Sequence, residues 1–167
     1  MNIEYREIEL YDALNMIEFL SAVGDETDNL SFSADSLKLT RESEERFIKG
    51  FKSSKKNLML VATLDGKIVA NASVERNKTP RFNHRAELSV VVKRELWGKG
   101  IGSRLIELLI DFARESGIEI LYLEARSDNE RALKLYRKFG FSSIGTYKKF
   151  FKINNKYHDA ELMTVEI

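Results

Sequence analysis

Residues 88–105, LSVVVKRELWGKGIGSRL, decide the fold. The β-branched run Val90, Val91 and Val92 favours an extended, buried backbone. Glycines at 98, 100 and 102 follow, removing side chains where the chain must turn and a ligand can approach the main chain. From Ile101 the period changes: Ile101, Leu105, Leu108, Leu109 and Phe112 fall on one helical face. A strand, a glycine-rich loop and a helix N-terminus make an anion site, because unpaired amides and the positive dipole end both point outward. The stretch reads as a phosphate cradle.

Working outward, the helix should stop at Gly117, and Ile118–Ala125 (IEILYLEA) forms a second buried strand. The resulting β-loop-α-β unit requires a parallel pair with a right-handed crossover. Ser127 with Glu130 fits a capping box opening a short helix through Phe139, closed by Gly140. Phe141–Phe151 and Tyr157–Ile167, turning at Asn154-Asn155, make a closing hairpin, whose free sheet edge could pair two copies as a homodimer. Upstream, Ile3–Glu9 reads as a strand. Tyr11–Val23 reads as a helix capped by Gly24, and Thr40 caps a second helix to about Phe51. Asn57–Leu64 and Lys67–Glu75 join at Asp65-Gly66 as a hairpin, and His84–Val92 adds the next antiparallel strand. The acidic stretch 24–40 has no clear period; it could receive a cationic amine or be a solvated face.

The whole chain sets limits. Its 167 residues suit a single domain, residues 1–167, with 43% hydrophobic and 32% charged residues. A net charge of +1 argues against nucleic acid or an anionic membrane as partner. No cysteine is present, which removes disulfides, thiolate catalysis and thiolate metal sites. The opening MNIEYREIELYDA is too acidic for a signal peptide and no apolar run would span a membrane, so a cytoplasmic protein is expected. His84 and His158 have no acidic partner at metal spacing, and no metal site is expected. His158-Asp159 reads as a sheet brace that could border the substrate pocket.

The loop is G-x-G-x-G, which fails the dinucleotide fingerprint at Ser103. It also lacks the G-K-[ST] ending of a nucleotide P-loop, because Gly100 follows Lys99. Nicotinamide and ATP are disfavoured. From Glu87 to the C-terminus the chain resembles the GNAT superfamily of acetyl-CoA-dependent N-acetyltransferases. Four blocks carry the likeness in order: LSVVV, WGKGIGS, NERALKLYRKFGF and KYHDAELM. It implies an α/β fold: a mixed, mostly antiparallel sheet of about six or seven strands with about four helices, splayed where the valine strand and IEILYLEA part.

The resemblance also implies roles. Val90, Val91 and Val92 would pair through their backbone with the pantetheine arm, and amides of Gly98, Lys99, Gly100, Ile101, Gly102 and Ser103 would hold the pyrophosphate. Trp97 stands where the family usually has Arg or Gln. Asn129 would contact pantetheine, although by itself it is an ordinary helix-start residue. Tyr136 would protonate the departing thiolate; otherwise it reads as a core tyrosine, sharing a helix face with Ala132 and Phe139. An alkylamine of pKa near ~10 must lose a proton before it attacks. Glu87, five residues before Val92, matches the base of phosphinothricin-type enzymes. Glu124, twelve before Tyr136, matches that of ribosomal-protein N-terminal acetyltransferases. The ending favours Glu87. The implied reaction is direct acetyl transfer from acetyl-CoA to a primary amine of a small molecule or amino acid. A protein N-terminal or lysine acetyltransferase and a non-catalytic acyl-CoA-binding module are the alternatives.

Overall fold

The computed structural model describes residues 1–167. Elements run β1 (Glu4–Glu7), α1 (Ala13–Glu26), α2 (Arg41–Lys52), β2 (Leu58–Leu64), β3 (Lys67–Arg76) and β4 (Arg85–Val92). There follow α3 (Ile101–Glu115), β5 (Ile120–Arg126), α4 (Glu130–Lys138), β6 (Ser142–Ile153) and β7 (Lys156–Glu166). Seven strands form one sheet in the order β1-β2-β3-β4-β5-β7-β6, and β4–β5 is the one parallel pair. The expected mixed, mostly antiparallel α/β architecture is present. No helix is long and apolar enough to cross a membrane.

Two apolar layers sandwich the sheet. Residues Leu88, Leu121 and Leu123 point to the side covered by α3 and α4, joining Leu105, Leu109 and Leu133 in the larger core. Val61, Ile68 and Val91 point to the other side, where α1 and α2 supply Met16, Phe19, Ile48 and Phe51. Strand alternation sends neighbouring residues to opposite faces. Glu87 and Ser89 therefore share the α1/α2 side with Val91, and Tyr122 and Glu124 share it from β5.

The splay lies where expected. Parallel pairing covers only Arg85–Glu87 against Ile120–Tyr122. Beyond it β4 keeps its bonds to β3 as far as Val92, while its other edge, Leu88 to Val92, has no strand partner. Unpaired backbone donors and acceptors on a central strand require something to bond.

Several boundaries differ from the sequence expectation. Gly24 does not cap α1; the helix continues to Glu26, and Gly24 serves packing instead. A Cβ there would stand 2.7 Å from the Ala34 backbone nitrogen, so only glycine lets the 34–36 turn close against the helix. The expected Ser127/Glu130 capping box is also absent. Asn129 caps α4, its side-chain oxygen accepting from the Ala132 amide at 3.3 Å, while the Ser127 hydroxyl donates to Glu161 at 3.2 Å. Thr40 does cap α2, accepting from the Ser43 amide at 3.1 Å. Asp65 and Gly66 take φ of 50° and 77°, as a two-residue hairpin turn demands.

Candidate active site

Local sequence builds the glycine loop. Gly98 and Gly100 take φ of 76° and 83°, a region closed to most side chains, and so fold the chain back into α3; the Lys99 amide donates to the Leu96 carbonyl at 3.4 Å, while the amides of Gly98, Gly100, Ile101, Gly102 and Ser103 have no backbone partner. No side chain caps α3. Gly102 is needed for a different reason: a Cβ would meet Leu135 at 3.3 Å and Val92 at 3.7 Å, so the helix start can press against β4 and α4. The Trp97 indole N–H donates to the Val92 carbonyl at 2.7 Å, pinning the loop to the end of the valine strand.

One cavity of about 640 Å³ occupies the splay. Its lining includes Glu87, Val90, Val91, Val92, Trp97, Gly98, Gly100, Ile101, Gly102, Ser103, Glu124, Asn129 and Tyr136. All the site residues expected from sequence are thereby gathered except Lys99, whose side chain leaves the cavity. Lys99 is exposed.

Tyr136 is 8% exposed, its ring edge-on to Phe141 at a centroid distance of 5.8 Å. Burial pushes its hydroxyl up to about 12, which keeps it protonated at neutral pH. Glu87 is held above the ordinary carboxylate range by loss of water, then by the charges of Glu124 and Glu75. Glu75 is its direct cross-strand neighbour. Neither Glu87 nor Glu124 has a salt-bridge partner in the protein.

Of three further contributions, sequence reasoning missed two and left the other, within the stretch 24–40, open between receiving an amine and facing solvent. The first is Arg131, whose guanidinium lies 3.0 Å from the centre of the Trp97 ring, with Arg94 at 5.4 Å. Arg131 pairs with no carboxylate, and burial followed by Arg94's charge lowers its pKa. Its proximity to Trp97 joins two elements more than thirty residues apart, and no local pattern reports it. The second is the segment Thr27–Phe32 beyond α1. Glu26 accepts from the Arg94 amide at 2.8 Å, and Arg126 donates to the Asp28 carbonyl at 3.1 Å. These bonds fix the segment over the splay, so Asn29, Leu30 and Phe32 line the cavity while Asp25, Asp28 and Asp35 do not. The third is Phe150 and Phe151 of β6, edge-to-face with centroids 4.8 Å apart, beside a bulge where Lys149 takes φ of 57°.

His158-Asp159 does not border the cavity. His158 lies 3.1 Å from Arg126, and Asp159 accepts from Lys148 and from the Lys149 amide, both at 2.9 Å. The pair braces β7 to β5 and β6. No group of three or more His, Asp or Glu side chains gathers as a metal site.

Residues 25–141 match the model of the Acetyltransferase (GNAT) family. The chain belongs to that family. Among relatives, N-alpha-acetyltransferase RimI of Mycobacterium tuberculosis is 37% identical over 90 residues, covering 53% of this chain and 54% of the relative. The L-amino acid N-acetyltransferase AaaT of Escherichia coli is 31% identical over 105 residues, covering 62% and 65%. The chain thus aligns with between half and two thirds of these relatives' length. A solved GNAT-family acetyltransferase from Streptococcus pneumoniae superposes with a TM-score of 0.95 at 34% identity, covering 99% of this chain and 100% of the other.

The cavity fits coenzyme A on its own evidence. Amides without backbone partners, a glycine at the tight approach, a free strand edge and two cations without carboxylate partners, Arg131 and Lys138, suit a phosphorylated, amide-bearing chain.

Proposed function

We propose that this GNAT-family protein transfers an acetyl group from acetyl-CoA directly to a primary amine of a small molecule. The observation that carries the reading is a single cavity joining a phosphate cradle, a proton-donating tyrosine and two unpaired carboxylates. The coenzyme supplies an activated acetyl thioester. The free amides of Gly98, Gly100, Ile101, Gly102 and Ser103 and the Arg131 guanidinium would grip its phosphates. The free edge of β4, from Val90 to Val92, would pair with its amide-bearing arm, assisted by Asn129, whose side-chain nitrogen is not used in capping α4.

In the transfer, the neutral amine attacks the thioester carbonyl, a C–N bond forms and the C–S bond breaks. The buried Tyr136 hydroxyl gives its proton to the departing sulfur. The surplus amine proton passes to a carboxylate, either Glu87 or Glu124, directly or through water. Glu87 is better suited, since its raised pKa brings it closer to neutral pH, where a base works best. Holding both reactants in one cleft supplies a large part of the acceleration.

One Escherichia coli relative is named an L-amino acid N-acetyltransferase and another a ribosomal protein bS18-alanine N-acetyltransferase, so a protein N-terminal activity is the second reading. Thiol release from acetyl-CoA, measured across small amines and peptides, tests both. Turnover with amines supports the first reading and turnover with peptides alone supports the second. Tight coenzyme binding without turnover on either would replace both with a non-catalytic acyl-CoA-binding module.

A further inference from the structure

The two sides of the cavity carry opposite charge. Four charged side chains line it: Glu87, Glu124, Arg131 and Lys138. Both cations belong to α4, on the α3 side of the sheet. Arg131 stacks on Trp97 and Lys138 reaches Ser103 at 3.5 Å, so both attend the phosphate cradle. Both carboxylates point to the opposite side, under Leu30 and Phe32.

On that acceptor side carboxylates outnumber the cations that lack a carboxylate partner. Glu75 and Glu87 sit directly opposite each other across β3 and β4, an arrangement of like charges that costs stability unless a cation intervenes. Glu124 adds a third negative charge, felt at Glu87. The cations on this face are already engaged. Arg85 lies over the Tyr122 ring at 4.8 Å. Arg126 is bidentate to Asp128 at 2.9 and 2.7 Å and also bonds the Asp28 carbonyl. On the hairpin, Lys148 pairs with Asp159, while Lys149 and Lys152 lie over Tyr157. Three aromatic rings, Phe32, Phe150 and Phe151, also line the cavity, with Leu30 and the uncharged polar Asn29, Ser31 and Ser89. Aromatic faces and free carboxylates attract ammonium groups, and the carboxylates repel a carboxylate.

We infer that the acceptor site selects cationic amines lacking a free carboxylate, diamines and guanidino-amines above all, over the amino acids that share their carbon skeleton. The inference rests on the acetyl-transfer reading and narrows it away from free amino acids. One ammonium group would lie at the base, and the second positive group would neutralise the remaining carboxylate.

Matched pairs test it: cadaverine against lysine, and agmatine against arginine, which differ only by the carboxylate. Binding is measured by calorimetry to the full chain saturated with coenzyme A, which cannot react. The decarboxylated member of each pair should bind at least tenfold more tightly, and Glu124→Gln should shrink that ratio several-fold. Equal or tighter binding of the amino acid, weak binding of both members, or a ratio unmoved in both Glu124→Gln and Glu87→Gln would overturn the selection. Thiol release from acetyl-CoA with the same amines is read separately. Selective binding without thiol release would leave the charge selection standing and remove acetyl transfer.

Discussion

Tyr136 can act as an acid because its surroundings forbid it to be anything else. With its ring against Phe141 and its hydroxyl pushed up to about 12, it carries a proton at every working pH. Tyr136→Phe keeps the packing and deletes the donor, so kcat should fall roughly 10²- to 10⁴-fold, the usual worth of one positioned acid. Coenzyme affinity, followed by calorimetry, should hold. A fall in affinity of the same size would make Tyr136 a wall of the pocket and no more. The carboxylates give a second residue-scale expectation through pH. Four groups face Glu87: Glu75, Glu124, Tyr122 and Arg85. Its raised pKa means the basic form is lost as pH falls through that raised value, so kcat/KM should decline there. Glu124→Gln removes one repelling charge, lowers Glu87's pKa and should move the acidic limb to lower pH. Glu87→Gln should erase the limb. If Glu124→Gln erases it and Glu87→Gln does not, the base is Glu124.

Among the elements, the segment after α1 shows how a helix can serve a site that it touches only through Val23. Gly24 lies within α1 facing the Ala34 backbone, and a methyl group there would come to 2.7 Å of that nitrogen. Gly24→Ala should cost about 1–3 kcal/mol as the segment is forced outward. Because Asn29, Leu30 and Phe32 ride on it, KM for the amine should rise while KM for acetyl-CoA stays level. Steady-state kinetics with each substrate varied in turn decides this, and equal rises would detach the segment from acceptor binding. The same glycine marks the limit of what the sequence could tell. Sequence places Gly24 after a periodic helix, where a cap is the usual meaning; its true partner is ten residues away in an aperiodic turn. Ser127 misleads similarly, since its hydroxyl finds Glu161 on β7 and leaves the cap to Asn129. By contrast the valine strand, the glycine loop and the Asp65-Gly66 turn are legible, because each rests on backbone preferences within a few residues. The Trp97–Arg131 stack and the Phe150–Phe151 wall depend on strand order and on a bulge, and neither writes a local pattern.

At the scale of the whole molecule, the splay leaves a seam in the sheet. The β4–β5 ladder stops at Glu87–Tyr122, so past that point α3, α4 and the two halves of the sheet meet around a cavity in place of hydrogen bonds. A ligand bound there would restore the missing contacts: strand edge to its amides, α3 amides and Arg131 to its phosphates. Anything that binds the folded chain alone stabilises it by mass action, about 2.7 kcal/mol at a hundredfold excess over Kd. For a chain of this size that shift corresponds to a rise in Tm of roughly 5–10 °C. Coenzyme A should produce this rise in a thermal melt, and acetylation of the thiol should change it little, because the gripped groups lie far from the sulfur. Arg131→Ala removes an unpaired cation stacked on Trp97, so it should leave the Tm of the free protein nearly unchanged while shrinking the coenzyme-induced rise. If the free protein also lost stability, Trp97 and Arg131 would be a structural pair bracing α4 to the loop. If the coenzyme-induced rise were undiminished, Arg131 would have no part in holding the phosphates.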